Sequence, residues 1–431
     1  MSVTAVVGMQ WGDEAKGKFV DFLGEKAAIV ARFNGGDNAG HTVINPLGTF
    51  KLRLMPSGIF NPGTRGAIGP GVVVNLATLI DEIHRVQQSG LDLSERLWIS
   101  PRCHVVMPYH PMVEAIYETA KGRSRTGTTG RGMGPVFADK VSYNGIRLFD
   151  LADEEIFAEK LRVQLAVKNP LFKAFGVEPL DLHQVMQEKL AQYEPLRPYI
   201  RDPFGMIQEA LVKGEEILLE GAQGALLDND WGTYPYCTAS TTLAGGASAG
   251  LGIAPRWIQR VVGVAKAYTS RVGAGPMPTE LFDETGETLR REGQEYGTVT
   301  GRPRRCGWLD AEVVRFTAQL NGATELALTK LDVLDSLPSI KIGAGYRLES
   351  EAGLSEIRRY WEGDAEWLSA CQPHYIEVPG WGQSTKGIRE FRLLPSTAQD
   401  YVRQVDALVG VPVTMVSTGP ERQDVIGVPP A

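Results

Sequence analysis

Val3-Thr4-Ala5-Val6-Val7-Gly8, then Gly12-Asp13-Glu14-Ala15-Lys16-Gly17-Lys18, then Phe19-Val20-Asp21-Phe22-Leu23: these stretches near the start of the chain decide the fold class. An apolar run of strand length leads into a G-x-x-x-x-G-K loop, and the loop leads into a helical-looking segment. Glycines let successive backbone N–H groups turn toward one anion, and the N-terminus of the following helix adds partial positive charge. Lys18, with Lys16 beside it, neutralises phosphate oxygens. Strand, loop and helix in this order predict a phosphate cradle for a nucleoside triphosphate in an α/β protein. One position departs from the usual loop. Phe19 follows Lys18 where a Ser or Thr would ligate Mg²⁺. Asp13 is the oxygen donor the loop offers instead. An aspartate aimed at phosphates is electrostatically costly unless it binds metal or moves a proton.

Outward from this loop, short apolar runs alternate with amphipathic stretches, the pattern of a mainly parallel sheet with helices on its faces. Ala27–Phe33 reads as a second strand. Ala67–Gly69 and Val72–Val74 read as a third, interrupted by Pro70-Gly71. Asn75 caps an expected helix in which Leu76, Leu79, Ile80, Ile83 and Val86 recur at helical spacing, ended by Gly90. Residues of about 153–213 read as a mainly helical insertion. Ile156, Phe157 and Leu161 form one apolar stripe there, and Leu182, Val185, Met186 and Leu190 another. Glu216–Glu220, Val261–Tyr268, Leu326–Leu331 and Val411–Ser417 read as further buried strands. No linker or repeat divides the chain. The expectation is one large α/β domain, 1–431, around a mostly parallel central sheet, with its ligands outside the carboxyl ends of the strands.

Composition narrows the function. The 431 residues carry 44 basic and 51 acidic side chains, a formal net charge of −7, which argues against a nucleic-acid-binding face. No run approaches eighteen apolar residues, so no membrane span is expected. The first residues lack a basic n-region and enter a strand directly, so no signal peptide is expected and the cytoplasm is the default location. Four cysteines without close pairing predict free thiols rather than a disulfide framework or zinc site.

Several downstream clusters suit anionic ligands. Thr329-Lys330-Leu331-Asp332, at the end of a strand, resembles the Asn-Lys-x-Asp signature that reads guanine. A carboxylate accepts from both guanine N1–H and the 2-amino group, and adenine offers neither. Asn34-Gly35-Gly36-Asp37-Asn38-Ala39-Gly40-His41-Thr42 places a histidine suited to acid chemistry in a glycine-rich loop. Gly127–Gly132 and Gly232–Thr238 offer hydroxyls and N–H groups. Gly301-Arg302-Pro303-Arg304-Arg305 concentrates guanidinium forks in an acidic protein.

Taken in order, these segments resemble the adenylosuccinate synthetase family, together with Glu220-Gly221-Ala222-Gln223-Gly224, Arg271–Thr279 and Ser417-Thr418-Gly419-Pro420. The resemblance implies a homodimeric ligase that joins IMP and L-aspartate while converting GTP to GDP and phosphate with Mg²⁺. It passes through a 6-phosphoryl-IMP intermediate. The resemblance implies Asp13 as catalytic base, His41 as acid and Gln223 as the amide that polarises the 6-oxo region. GTP would be held by Gly12, Glu14, Ala15, Lys16, Gly17, Lys18, Gly40, His41, Thr42, Arg304, Lys330, Leu331, Asp332, Ser417, Thr418 and Gly419. IMP would be held by Asp13, Lys16, Asn38, Thr129, Gln223, Thr238 and Arg302. Aspartate would be held by Thr298, Val299, Thr300, Gly301, Arg302, Pro303 and Arg304, and the metal by Asp13 and the Gly40 carbonyl. Two positions depart from the family. Ala15 stands where the family has glycine, harmless at negative φ and strained at positive φ. Tyr143 stands where the family has an arginine that reaches the partner's IMP phosphate. Tyrosine brings no charge, which leaves Arg147 or another cation as the alternative. A regulatory GTPase, or a ligase for another purine nucleotide, would share much of this set.

Overall fold

The computed structural model describes residues 3–296, 301, 303–350, 353–354, 357–358 and 365–430. Nine strands form the central sheet. They are β1 (Val3–Gly8), β2 (Ile29–Arg32), β3 (Arg65–Ile68), β4 (Leu97–Ile99), β5 (Ile217–Glu220), β6 (Ile258–Lys266), β7 (Glu325–Thr329), β8 (Val413–Ser417) and β9 (Val425–Gly427). Their order is β9-β8-β7-β6-β1-β5-β2-β3-β4, and every pairing except β8–β9 is parallel. The expected α/β architecture is the observed one. β1 lies at the centre because it can be buried on both faces. Val3, Ala5 and Val7 pack into one hydrophobic cluster and Val6 into another.

The helices follow their capping chemistry. Helix α1 (Lys16–Leu23) starts directly after Ala15 with no side-chain cap. Helix α2 (Leu76–Gln88) is capped by Asn75, whose side chain accepts from the Thr78 N–H, as expected. Between β4 and β5 run helices Glu154–Ala174, Leu182–Tyr193 and Pro203–Lys213, each started by an aspartate cap. Phe157, Leu161, Leu165 and Phe172 of the first join Val185 of the second and the apolar face of α2 in one cluster. Ile156 is not part of that stripe; it is largely exposed.

Three strand expectations change. Ala67–Gly69 and Val72–Val74 are not one interrupted strand. Arg65–Ile68 is β3, whereas Val73–Val74 pairs with His104–Val105 in a separate ribbon. Pro70 supplies no N–H, and a Cβ at Gly71 would lie 2.0 Å from the Phe33 carbonyl oxygen, so the chain leaves the sheet there. The strand expected over Val261–Tyr268 is two: β6 ends at Lys266, and Tyr268–Arg271 pairs antiparallel with Arg305–Asp310. β7 ends at Thr329, not Leu331, because Lys330 adopts φ +56°. A second, smaller sheet containing Tyr268–Arg271, Arg305–Asp310, Ser339–Ser350 and Cys371–Pro379 has no counterpart in the sequence reading. Among the described residues, no helix is long and apolar enough to cross a membrane.

Candidate active site

The loops after β1, β2, β5, β7 and β8 all emerge at the carboxyl edge of the central sheet. The phosphate loop is built from three left-handed residues, Gly12 (φ +89°), Asp13 (φ +59°) and Ala15 (φ +63°). The buried Glu14 carboxylate holds the loop from inside: it accepts from Gly12 N–H at 2.8 Å and Gln10 N–H at 3.1 Å, and pairs with Lys16 Nζ at 2.7 Å. Glu14 thus shapes the cradle from within, its carboxylate fully buried. With no side chain capping α1, the Lys16 and Gly17 N–H groups are left for an anion, while the Lys18 N–H donates to the Ala15 carbonyl at 3.2 Å. Gly17 is required by packing, since a Cβ there would lie 2.9 Å from the Cβ of His41.

Ala15 resolves one of the two departures. Left-handed φ costs an alanine roughly 1–2 kcal/mol, and glycine loses roughly 0.5–1 kcal/mol more chain entropy on folding. Ala15→Gly is therefore expected to stabilise the protein by up to about 1 kcal/mol. Denaturant unfolding checks this, and a less stable variant would mean that the angle is not strained.

His41 opens a β-hairpin (His41–Asn45 with Gly48–Leu52) and lines the cleft. Its Nδ1 donates to the Glu220 carboxylate at the end of β5 in a short hydrogen bond, and Ser57 Oγ lies 3.2 Å from the same nitrogen. Ser57 also donates to Glu220 through its hydroxyl at 2.7 Å and its N–H at 2.8 Å, and the fully buried Arg32 lies 3.9 Å away. Burial pushes the Glu220 carboxyl up, but His41, Arg32 and Ser57 outweigh it and hold Glu220 below its ordinary value, so it is ionised. Nδ1 is thereby occupied, and Nε2 is the ring nitrogen left for the cleft.

Gln223, at φ +58°, donates through Nε2 to Asn38 Oδ1 at 3.1 Å, and Asn38 Nδ2 donates to Thr238 Oγ1 at 3.3 Å. Gln223 Oε1 is buried without a partner. Asp13, Lys16, Asn38, Gly40, His41, Thr129, Gln223 and Thr238 line one cleft of about 390 Å³. Lys330, Asp332, Ser417, Thr418 and Gly419 lie off this cleft, at a second corner of the same edge. There Lys330 N–H donates to Ser417 Oγ at 3.2 Å, and Lys18 Nζ reaches across to the Gly419 carbonyl. Burial lowers Lys18 to about 8, opposed by Asp424 and Asp332. Burial also pushes the Asp332 carboxyl up.

Arg304 joins the two corners. It pairs with Asp13 at 3.1 Å and with the buried Glu295 at 2.9 Å. Gly301 and Pro303 are exposed beside it, and a bridge between Tyr296 and Pro303 closes the foot of their loop. Thr298, Val299, Thr300 and Arg302 lie outside the described residues. Tyr143 is not in the cleft: it is 96% exposed at φ +69°. Sequence reading passed over Glu295 and Ser57, and quoted Glu220 only within a longer segment. A glutamate ending the fully buried run Ile217–Glu220 was the available signal for the last.

The oxygen donors suit Mg²⁺. The Asp13 carboxylate is partly exposed, and the exposed Gly40 has nothing within 4 Å of where a Cβ would stand, so its backbone is open to the cleft. Among the described residues no cluster of three or more metal-ligating side chains exists. One carboxylate and one carbonyl fit an ion that takes its remaining ligands from phosphates and water.

The adenylosuccinate synthetase family model matches residues 5–426. The chain belongs to the adenylosuccinate synthetase family. It is similar to the adenylosuccinate synthetase of Carboxydothermus hydrogenoformans, with 47% identity over 427 residues and coverage of 99% of each chain. To the Halothermothrix orenii enzyme it is 45% identical, covering 99% of this chain and 98% of that one. Its fold superposes on the fully ligated adenylosuccinate synthetase of Plasmodium falciparum with a TM-score of 0.93 at 34% identity, covering 100% of both chains. Adenylosuccinate synthetases are GTP-dependent ligases that join IMP and L-aspartate in purine biosynthesis, use Mg²⁺ and are typically homodimers; this chain has that activity. A cyanophage succinoaminodeoxyadenylate synthetase shares the fold alone, at TM-score 0.64 and 21% identity.

Proposed function

We propose the following division of labour among the residues of this site. Asp13 takes the proton from N1 of IMP, and the 6-oxygen then attacks the γ-phosphorus of GTP. The new O–P bond forms as the bond to the β-phosphate oxygen breaks and GDP leaves. His41, anchored through Nδ1–H to Glu220, donates from Nε2 only as the doubly protonated imidazolium, which burial disfavours and the Glu220 charge favours, to the oxygens on which charge develops. Gln223 orients the 6-oxo region, and Asn38, Thr129 and Thr238 hold the nucleotide. The aspartate amine then displaces phosphate at C6, with Arg302, Arg304 and the loop from Thr298 receiving its carboxylates. Asp13 and the Gly40 carbonyl would hold Mg²⁺, which would supply neutralisation of phosphate charge. Phosphorylation turns a poor leaving group into a good one, so most of the work is positioning and charge compensation.

The observation that carries this reading is the convergence of Asp13, His41 and Gln223 on one cleft beside an uncapped helix start. Lys330, Asp332, Ser417 and Gly419 form the guanine corner in the same reading, and Tyr143 is assigned no phosphate contact in its own chain. The whole chain, 1–431, is read as one domain with the helices of 153–213 as an insertion; the cluster these share with α2 supports this. Cytoplasmic work is supported by the free thiols of Cys103, Cys237 and Cys306.

The test mixes the protein with Mg-GTP, IMP and aspartate and follows purine absorbance. Product is expected only when all three substrates are present. Reaction with GMP or dGMP in place of IMP would overturn the substrate assignment. In the same assay Asp332→Asn is expected to weaken GTP use by about 10–100-fold, the worth of a charged hydrogen-bond acceptor. Unchanged GTP-over-ATP selectivity would remove Asp332 from the guanine corner.

A further inference from the structure

Glu295 has no place in the chemistry above, yet it is fully buried and the most heavily contacted carboxylate beside the site. It receives Lys330 Nζ at 2.7 Å, Arg304 Nη1 at 2.9 Å and Lys266 Nζ at 3.1 Å. Ser270 Oγ donates to it at 3.2 Å and the Tyr268 hydroxyl in a short bond. Each cation comes from a different element: Lys266 ends β6, Lys330 is the turn after β7, and Arg304 precedes the strand Arg305–Asp310. Lys330 and Arg304 repel each other, and both are bonded to this carboxylate. Lys330 also donates to the Gly293 carbonyl at 2.7 Å, and the Arg304 N–H to the Glu295 carbonyl at 2.8 Å. The other arm of Arg304 reaches Asp13. Three cations thus share one buried carboxylate and one partly exposed aspartate. Such a cluster is costly unless every charge is bonded or a further anion enters beside it.

We infer that Glu295 is a positioning residue that fixes the base-reading turn at Lys330 and the acceptor-side Arg304 relative to each other, so that the guanine corner and the Asp13 side of the cleft are set as one unit. This rests on the assignment of Lys330 and Asp332 to the guanine corner. A glutamine at 295 keeps the shape but leaves three cations without their shared charge. Both arms then lose their reference point. The Gln223–Asn38–Thr238 chain, which Glu295 does not touch, keeps its geometry.

Glu295→Gln is therefore expected to raise KM for GTP and KM for aspartate together, each by about tenfold, while KM for IMP stays within about twofold. Glu295→Asp, which keeps the charge, is expected to recover part of both. Should Glu295→Gln fail to fold, Glu295→Gln combined with Lys266→Met restores part of the charge balance, and the same split is read from it. A variant with lower thermal stability but wild-type KM values, or with all three KM values raised equally, would overturn the inference. Failure of the underlying assignment is distinguishable: the wild-type enzyme itself would then not discriminate GTP from ATP through Asp332.

Discussion

Asp13→Asn is expected to lower kcat by about two to four orders of magnitude, the worth of a positioned general base, while the protein remains folded. Asparagine is the informative substitution because position 13 stands at φ +59°. Asparagine tolerates the left-handed region, whereas alanine would add backbone strain to the chemical change. The substitution removes the carboxylate that, in the proposed mechanism, accepts the proton and offers an oxygen to Mg²⁺, and it weakens the pairing with Arg304. Circular dichroism and a melting curve close to wild type, with turnover lost, are the expected results. Turnover within about tenfold of wild type would mean that the base lies elsewhere.

Glu220→Gln is expected to act on both stability and rate. Glu220 is completely buried against His41, Ser57 and Arg32. Removing one partner of a buried ion pair leaves the other charge uncompensated, at about 3–5 kcal/mol. Arg32 would be that charge; its Nε and Nη2 already have no partner. On the rate side, the amide offers His41 Nδ1 a weaker acceptor and no negative charge. The ring is then held less firmly for phosphoryl transfer, and kcat is expected to fall by about 10²-fold, with KM for IMP little changed. A melting experiment and steady-state kinetics on the same preparation separate the two effects. Full kcat with only a lowered melting temperature would make Glu220 a purely structural residue.

The contrast between Asp13 and Glu220 explains what could be read from the chain alone. Strand β1, the phosphate loop and α1 follow one another, so local pattern sufficed to place them. Short apolar runs likewise revealed β5, β7 and β8 because strands buried on both faces have no alternation to confuse. The pair His41–Glu220 spans 179 residues and leaves no local trace. Glu295 was hidden for a similar reason: two of its three cationic partners lie 29 and 35 residues away, at the end of β6 and in the turn after β7. Val72–Val74 was misplaced because a two-residue strand is defined only by its partner, His104–Val105. The backbone angle at Ala15 belongs to the folded loop, so the sequence could pose the question of strain but not answer it.

The contacts that join α1 to the other end of the chain bear on how the enzyme is made. Lys18 meets Gly419, and Asp21 meets Arg422, across 401 residues in each case. On the ribosome, Lys18 of the phosphate loop emerges 401 residues before Gly419. A nascent chain that stops short of β8 carries a cradle whose Lys18 has no carbonyl to reach and whose Lys330 turn has no hydroxyl to receive its N–H. Contacts of such long range close late in folding. In the proposed guanine corner, base recognition therefore matures only after Ser417 and Gly419 have been made, and a chain truncated before them is expected not to compete with finished enzyme for the nucleotide through that corner.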